Sequence, residues 1–284
     1  MRIYGVYGMN CQNDLSQKMF QAIFAHYHIE DFFYQVFDVA PRAVTGAIQS
    51  LTKADFAGVN VLWPYQEYVT ELVDECSELV NKAFAANVII ADGGYLSAHN
   101  TNGIGMMRAI RETAKVDVVD KQVLLLGAGA AARTMAVVLA EAGVKKILLA
   151  NRTKERALQN AADLASKLDC EITGCGWDDP CLGDYLAASD IVANCTFLGN
   201  MEHLTDMPVP ELLSGLHARQ LVIDVTCKPA ETPFLQKAKT QGAQTLPGYF
   251  ITAYQGAESY KMWTLDEAPL DVIIETLEKE VCVK

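Results

Sequence analysis

The chain has 284 residues, a formal net charge of −12 and 51% hydrophobic residues. That apolar content can bury a core and excludes a disordered chain, and the length suits two domains. The acidic balance argues against nucleic acid or an anionic membrane as partner, since both recruit clustered Lys and Arg; it leaves room for a small anionic cofactor held by backbone amides and one or two arginines.

From the N-terminus, RIYGVYG reads as a short strand and Leu15 to about Tyr27 as a helix, with apolar spacing at Leu15, Met19, Ala22, Ile23 and His26. FFYQVFDV is a second strand, VTGAIQSLTKA a helix, and FAGVNVLW a third strand stopped by Pro64. Gln66 to about Lys82 reads as one helix, ANVIIAD as a strand turning at Asp92-Gly93-Gly94, and GIGMMRAIRETA, from Gly103, as a connecting helix. The style then changes. KQVLLLGAGAAARTMAVVLAEAG is strand, glycine turn and helix, and KKILLANRTKERALQNAADLASKL repeats the step. DIVANCTFLG and QLVIDVTCK are further strands, apolar on both faces as a parallel sheet requires. FITAYQGAESYKMW and LDEAPLDVIIETLEKEV are two helical stretches placed to return to the first half. The expected fold is α/β throughout, an N-terminal α/β domain followed by a Rossmann domain, with the break near Gly105–Val116.

The opening segment lacks the basic start, apolar run and cleavage site of a signal peptide. No apolar run reaches the ~20 residues that span a bilayer. The eight cysteines include no CxxC pair and the five histidines no HExxH pattern. A cytoplasmic, reduced protein without a metal is expected, a monomer or homodimer working on a small molecule.

The sharpest local signal is VLLLGAGAAAR. Gly127 permits the turn after the strand, Gly129 lets the backbone approach a pyrophosphate, and Ala132 is the small residue that brings helix and strand together. The amides and dipole of the following helix favour phosphate. Gly127, Ala128, Gly129, Ala130, Ala131 and Arg133 are therefore candidate cofactor contacts. Where NAD sites carry an acid, about 20 residues on, this chain has Asn151-Arg152-Thr153 and then Arg156. Two guanidinium groups can hold a 2′-phosphate, so NADP is preferred over NAD. The competing reading makes Thr153 a helix cap and the arginines merely solvated.

These residues, with others in order, resemble the shikimate/quinate dehydrogenase family. The matching set is GVN-V from Gly58 to Val61 with Pro64, then Asn87, Asn100-Thr101 with Gly103 and Gly105, GAGAAAR, Asn151-Arg152-Thr153, Asn194-Cys195-Thr196 with Gly199, Asp224 with Pro229 and Thr232, and Gly248 with Gln255. The resemblance implies a substrate-binding domain over 1–105 and 248–284 and an NADP-binding Rossmann domain over 106–247. It adds Asn194, Thr196 and Gly248 to the cofactor set. It implies substrate contacts at Asp14, Ser16, Leu62, Asn87, Asn100, Cys227 and Gln255. Of these, Asp14 replaces the first residue of a Ser-x-Ser, Leu62 a Thr and Cys227 a Tyr. The catalytic Lys and Asp of the family fall on Gln66 and Asn102.

The implied activity is reversible hydride transfer between NADP(H) and an alcohol or ketone of a small hydroxylated ring, shikimate/3-dehydroshikimate or a non-carboxylate relative. Gln66 carries neither proton nor charge, and Asp14 adds a negative charge, so a carboxylate-bearing ring meets a less welcoming pocket. Tyr65, His99, Tyr254 and Asp14 are the candidates to replace the lost proton carrier. Blander readings stand beside these: Asp14 and Gln17 form a capping box, Leu62 and Cys227 pack, and Asn102 holds its loop. As a whole, the chain is alternatively a catalytically impaired NADP-binding paralogue with a regulatory or sensing role. Last come relatives of glutamyl-tRNA reductase or methylene-tetrahydrofolate dehydrogenase.

Overall fold

The computed structural model describes residues 2–53 and 55–282. Met1, Ala54, Val283 and Lys284, which the expected domains and second helix include, lie outside them. The chain divides into two compact units, Met1–Gly105 with Ala253–Glu280, and Met106–Thr252 with Val281–Lys284.

The first unit starts with strand β1 (Arg2–Gly8), helix α1 (Ser16–His26), strand β2 (Phe32–Asp38), helix α2 (Val44–Ser50) and strand β3 (Phe56–Val61). After β3 the chain differs from expectation. Residues 66–82 form no single helix. They give a 3-10 turn at Tyr68–Glu71, strand β4 (Glu75–Cys76) and the short helix α3 (Glu78–Ala83). Two contacts with a distant strand and one local cap outcompete the helical pattern. Asp74 accepts Leu96 N–H on its carboxylate (2.8 Å), Glu75 and Cys76 pair with Ser97 and Ala98, and Ser77 caps α3 by accepting Val80 N–H (3.4 Å).

Strand β5 (Val88–Asp92) then turns through Gly93 and Gly94, both at positive φ, into strand β6 (Tyr95–His99). Two consecutive left-handed residues make the tight hairpin turn that glycine suits. The returning strand, YLSAH, carries too little alternation to be read beforehand. Helix α4 begins at Thr101, two residues before the expected start, and runs to Arg108, followed by a π-helical turn over Ala109–Thr113. The sheet order is β2-β1-β3-β5-β6-β4. β1, β2 and β3 run parallel, while β3, β5 and β6 are antiparallel neighbours.

The second unit is a repeated strand–helix winding. It comprises β7 (Gln122–Leu126), α5 (Ala130–Glu141), β8 (Lys146–Asn151), α6 (Lys154–Ala165), β9 (Glu171–Gly176), α7 (Leu182–Ala188), β10 (Ile191–Asn194), β11 (Leu221–Asp224), α8 (Pro233–Thr240) and β12 (Gln244–Leu246). β9, α7, α8 and β12 were not anticipated, because EITGCG and QTL are too short and mixed to show a period. All neighbouring pairs are parallel, in the order β12-β11-β10-β7-β8-β9. Read from β9, that is the third, second, first, fourth, fifth and sixth strand of the unit. This is the dinucleotide-binding order, with the direction of winding reversing between β7 and β10. β7 is buried from Val123 to Leu126 and β10 along its whole length, as a central parallel strand must be.

Two long helices close the chain, α9 (Gly248–Thr264) and α10 (Leu270–Val281). Residues 253–280 belong to the first unit. There the Trp263 ring stacks on Tyr4 at 5.0 Å between centroids, and its Nε1 donates to the Ile89 carbonyl (3.3 Å). Among the described residues no helix is long and apolar enough to cross a membrane.

Candidate active site

In the first unit, glycine brings the site elements together. A Cβ on Gly105 would lie 2.5 Å from the Gln255 nitrogen, so α4 and α9 touch backbone to backbone there. This contact sets Gln255 beside Asn87 and Asn102. Asn87, 3% exposed, directs Nδ2 at three acceptors: Thr101 Oγ1 (3.0 Å), Asn102 Oδ1 (3.0 Å) and Gln255 Oε1 (3.1 Å). Its Oδ1 accepts the Thr101 N–H (2.7 Å). Asn87, Asn102 and Gln255 thus form one cluster of amides.

Asn100 is turned elsewhere. Its Nδ2 donates to Ala85 O (2.8 Å) and its Oδ1 accepts Gly103 N–H (3.2 Å), which caps α4. The loop-holding role expected of Asn102 therefore belongs to Asn100. Gln66 folds back on its own strand end, Nε2 donating to Val61 O (3.0 Å). Leu62 is half-buried and packs under Gly8.

A chain of buried polar groups runs away from the amide cluster. Thr101 Oγ1 and Ser259 Oγ are 3.1 Å apart, Asn60 Nδ2 donates to Ser259 Oγ (3.1 Å), and Tyr34 OH donates to Asn60 Oδ1 (2.8 Å). The Phe20 ring stacks on Tyr34 at 4.3 Å and fixes its tilt. Next to Tyr34 lie Ser16 and Asp14. Asp14 Oδ1 accepts Ser16 N–H (2.8 Å). The expected capping box is absent, because Gln17 Nε2 donates across to Tyr34 O (3.3 Å) instead. Tyr34 and Ser259 carried no signal in the sequence; a lone buried hydroxyl has none.

Burial lifts the Asp14 carboxyl above its ordinary value of 3.8, against hydrogen bonds from the Ser16 hydroxyl and N–H. The folded chain holds that proton more tightly than the unfolded one. The stability this contributes is complete below the ordinary value and is lost as pH rises through the folded value. Asp14→Asn, which does not ionise, is therefore expected to match the native protein in acidic urea titrations and to exceed it at about pH 8. Of the proposed stand-ins for a proton carrier, Tyr65 spends its hydroxyl on Val39 O, and His99 Nε2 lies 3.0 Å from Ser97 Oγ with its ring pushed toward the neutral form by burial. Tyr254 is buried.

In the second unit, Gly127 sits at φ +123°, and a Cβ on it would lie 3.0 Å from Cys195 O. Gly129 is extended (φ −90°, ψ −170°) at the head of α5, and an added Cβ would meet no heavy atom within 4 Å. That open space over the first amides of α5 is the room a pyrophosphate needs. Ala130 and Ala131 are half-buried, while Ala128 and Arg133 are buried. Asn160 on α6, which the sequence did not single out, donates to Ala128 O (2.8 Å) and braces the turn.

At the end of β8, Asn151 Nδ2 donates to Thr153 O (3.0 Å), and Arg152 and Arg156 are exposed. Thr153 occupies the cap position of α6, but its side chain makes no cap bond. Asn194, fully buried, is turned inward: it donates to Leu198 O (3.0 Å) and Asp224 Oδ2 (3.1 Å) and accepts the Thr196 hydroxyl (2.6 Å). Its side chain shapes the loop after β10. Gly248 packs its backbone against Asp224 and Thr226 carbonyls. Cys227 is half-buried in the loop after β11.

Asp224 anchors this end of the sheet, accepting the Thr232 hydroxyl (2.6 Å), Thr226 N–H (2.9 Å) and Asn194 amide. Asp224→Ala strands those buried donors and is expected to cost ~3 kcal/mol in urea unfolding. Among the described residues no group of His, Cys, Asp and Glu is arranged to hold a metal ion.

Residues 6–89 match the family model for the shikimate dehydrogenase substrate binding domain, and residues 109–227 the model for shikimate / quinate 5-dehydrogenase. A shikimate dehydrogenase (NADP(+)) from Desulforamulus reducens is 32% identical, over 99% of this chain and 96% of the relative. A solved shikimate 5-dehydrogenase from Listeria monocytogenes, in complex with shikimate and NAD, superposes with a TM-score of 0.90 at 30% identity, covering 98% of this chain and 96% of that one. A ligand-free 5-ketofructose reductase of Gluconobacter sp. strain CHM43 gives 0.87 at 27% identity, covering 98% of both chains.

Proposed function

The chain belongs to the shikimate dehydrogenase family, and on that footing we propose that it moves hydride reversibly between NADP(H) and an alcohol or ketone of a small hydroxylated ring, shikimate/3-dehydroshikimate or a non-carboxylate relative. In this reading residues 1–105 and 248–284 hold the ring and residues 106–247 the nucleotide. The observation that carries it is the open cradle over Gly129, at the first helix of a unit with dinucleotide-binding strand order.

NADP, when bound, supplies the hydride donor or acceptor. The amides at the head of α5 balance the pyrophosphate charge, and Arg152 and Arg156 grip the 2′-phosphate where an acid would repel it. Asn87, Asn102 and Gln255 hold ring hydroxyls, each amide able to donate and accept. In this reading Gln66 and Asn102 take the places of the family's catalytic Lys and Asp. Neither exchanges a proton, so the substrate hydroxyl trades its proton with solvent and turnover is slowed by a factor of ~10²–10⁴. NADPH absorbance over a panel of cyclic polyols, keto acids, ketoses and amino-polyols tests this; ketoses enter the panel because a neighbour of this fold is named a 5-ketofructose reductase. Turnover of at least one member is expected, and none across the panel would end the enzymatic reading.

A further inference from the structure

The polar chain described above separates two ends of the first unit. At one end stand the amides of Asn87, Asn102 and Gln255; at the other, beyond Thr101, Ser259, Asn60 and Tyr34, stand Ser16 and Asp14. A pair of serines at positions 14 and 16 would offer two hydroxyl hydrogens, which suits a carboxylate. With Asp14 in place, the direction of the hydrogen bonds reverses. The Ser16 N–H goes to Asp14 Oδ1. The Ser16 hydroxyl lies beside the Asp14 carboxyl and the Tyr34 hydroxyl. The Tyr34 hydroxyl hydrogen is spent on Asn60. What Asp14 brings to this corner is carboxyl lone pairs where a serine would bring a hydroxyl hydrogen.

Resting on the dehydrogenase reading, the geometry points to Asp14 as the residue that selects a ring whose substituent at this end donates hydrogen bonds, a hydroxymethyl or an ammonium, and that rejects a carboxylate there. A carboxylate would bring acceptors against the Asp14 oxygens, and Gln66, in the place of the family's lysine, carries no positive charge to offset it.

The test is a ratio of dissociation constants, read by calorimetry in the presence of NADP+, for shikimate and for the same ring with hydroxymethyl in place of carboxylate. The native protein is expected to hold the neutral ring at least ~10-fold more tightly. Asp14→Ser is expected to reverse the preference, and Asp14→Asn, close to isosteric and uncharged, to bring the ratio near one. A native preference for shikimate, a ratio unmoved by both variants, or failure of the native protein to hold the neutral ring would each overturn the assignment. Because the readout is binding, absence of turnover with a shifted ratio would count against the dehydrogenase reading and leave the selection by Asp14 standing.

Discussion

Installing Gln66→Lys together with Asn102→Asp is expected to raise kcat for shikimate oxidation by ~10²–10⁴, the range a positioned general acid–base contributes. The fold is prepared for both changes. Asn102 uses its Oδ1 to accept from Asn87 (3.0 Å), and a carboxylate keeps that bond. Gln66 gives up a single donation to Val61 O (3.0 Å), which an ammonium can also make. Either substitution by itself is expected to recover far less, since a lysine without its carboxylate is not oriented and groups acting as a unit are non-additive. KM for shikimate should stay high in the double variant, because Asp14 remains. Steady-state kinetics on the native protein, both single variants and the double variant read this directly. An unchanged kcat in the double variant would mean that the two amides are not what slows the reaction.

Gly129→Asp is expected to move stability and cofactor binding in opposite directions. Gly129 has an extended backbone that any residue adopts, and a side chain there enters open space. It also occupies the cap position of α5, where no side-chain cap bond exists. An aspartate can supply that bond and complement the helix dipole, a gain of ~0.5–1 kcal/mol in unfolding. The same carboxylate fills the pyrophosphate cradle with charge of the wrong sign, so NADP+ affinity should fall by about 100-fold or more, ~3 kcal/mol. Melting temperature and calorimetric affinity on one variant check both signs. Gly127→Ala makes a useful contrast: its positive φ and the Cys195 carbonyl 3.0 Å from a Cβ predict that stability and affinity decline together.

The nucleotide half was legible because its physics is local. A buried parallel strand, a glycine turn and an amphipathic helix each leave a mark within about ten residues of sequence. VLLLGAGAAAR carries all three, and the strand, turn and helix lie where they were expected. The first half was less legible because its contacts are distant. Residues 66–82 look helical, yet β4 exists because Glu75 and Cys76 find Ser97 and Ala98. Asn87, Asn102 and Gln255 could be nominated through a family resemblance, but their convergence depends on Gly105 meeting a helix 150 residues later. Asn100 and Asn194 have local partners that no motif shows: Asn100 bonds Ala85 O and Gly103 N–H, and Asn194 bonds Leu198 O, Asp224 and the Thr196 hydroxyl. A motif identifies a position; the hydrogen-bond partners decide what the side chain can do there.

The most direct measurement is calorimetric titration of the native protein with NADP+ and NAD+ in parallel, repeated on the Arg152→Ala, Arg156→Ala double variant. The expected result is that NADP+ binds at least ~10-fold more tightly than NAD+ and that the difference vanishes with the two guanidinium groups. Heat signals showing no affinity for either dinucleotide, or equal affinities in the native protein, would contradict the assignment of the second unit as an NADP site.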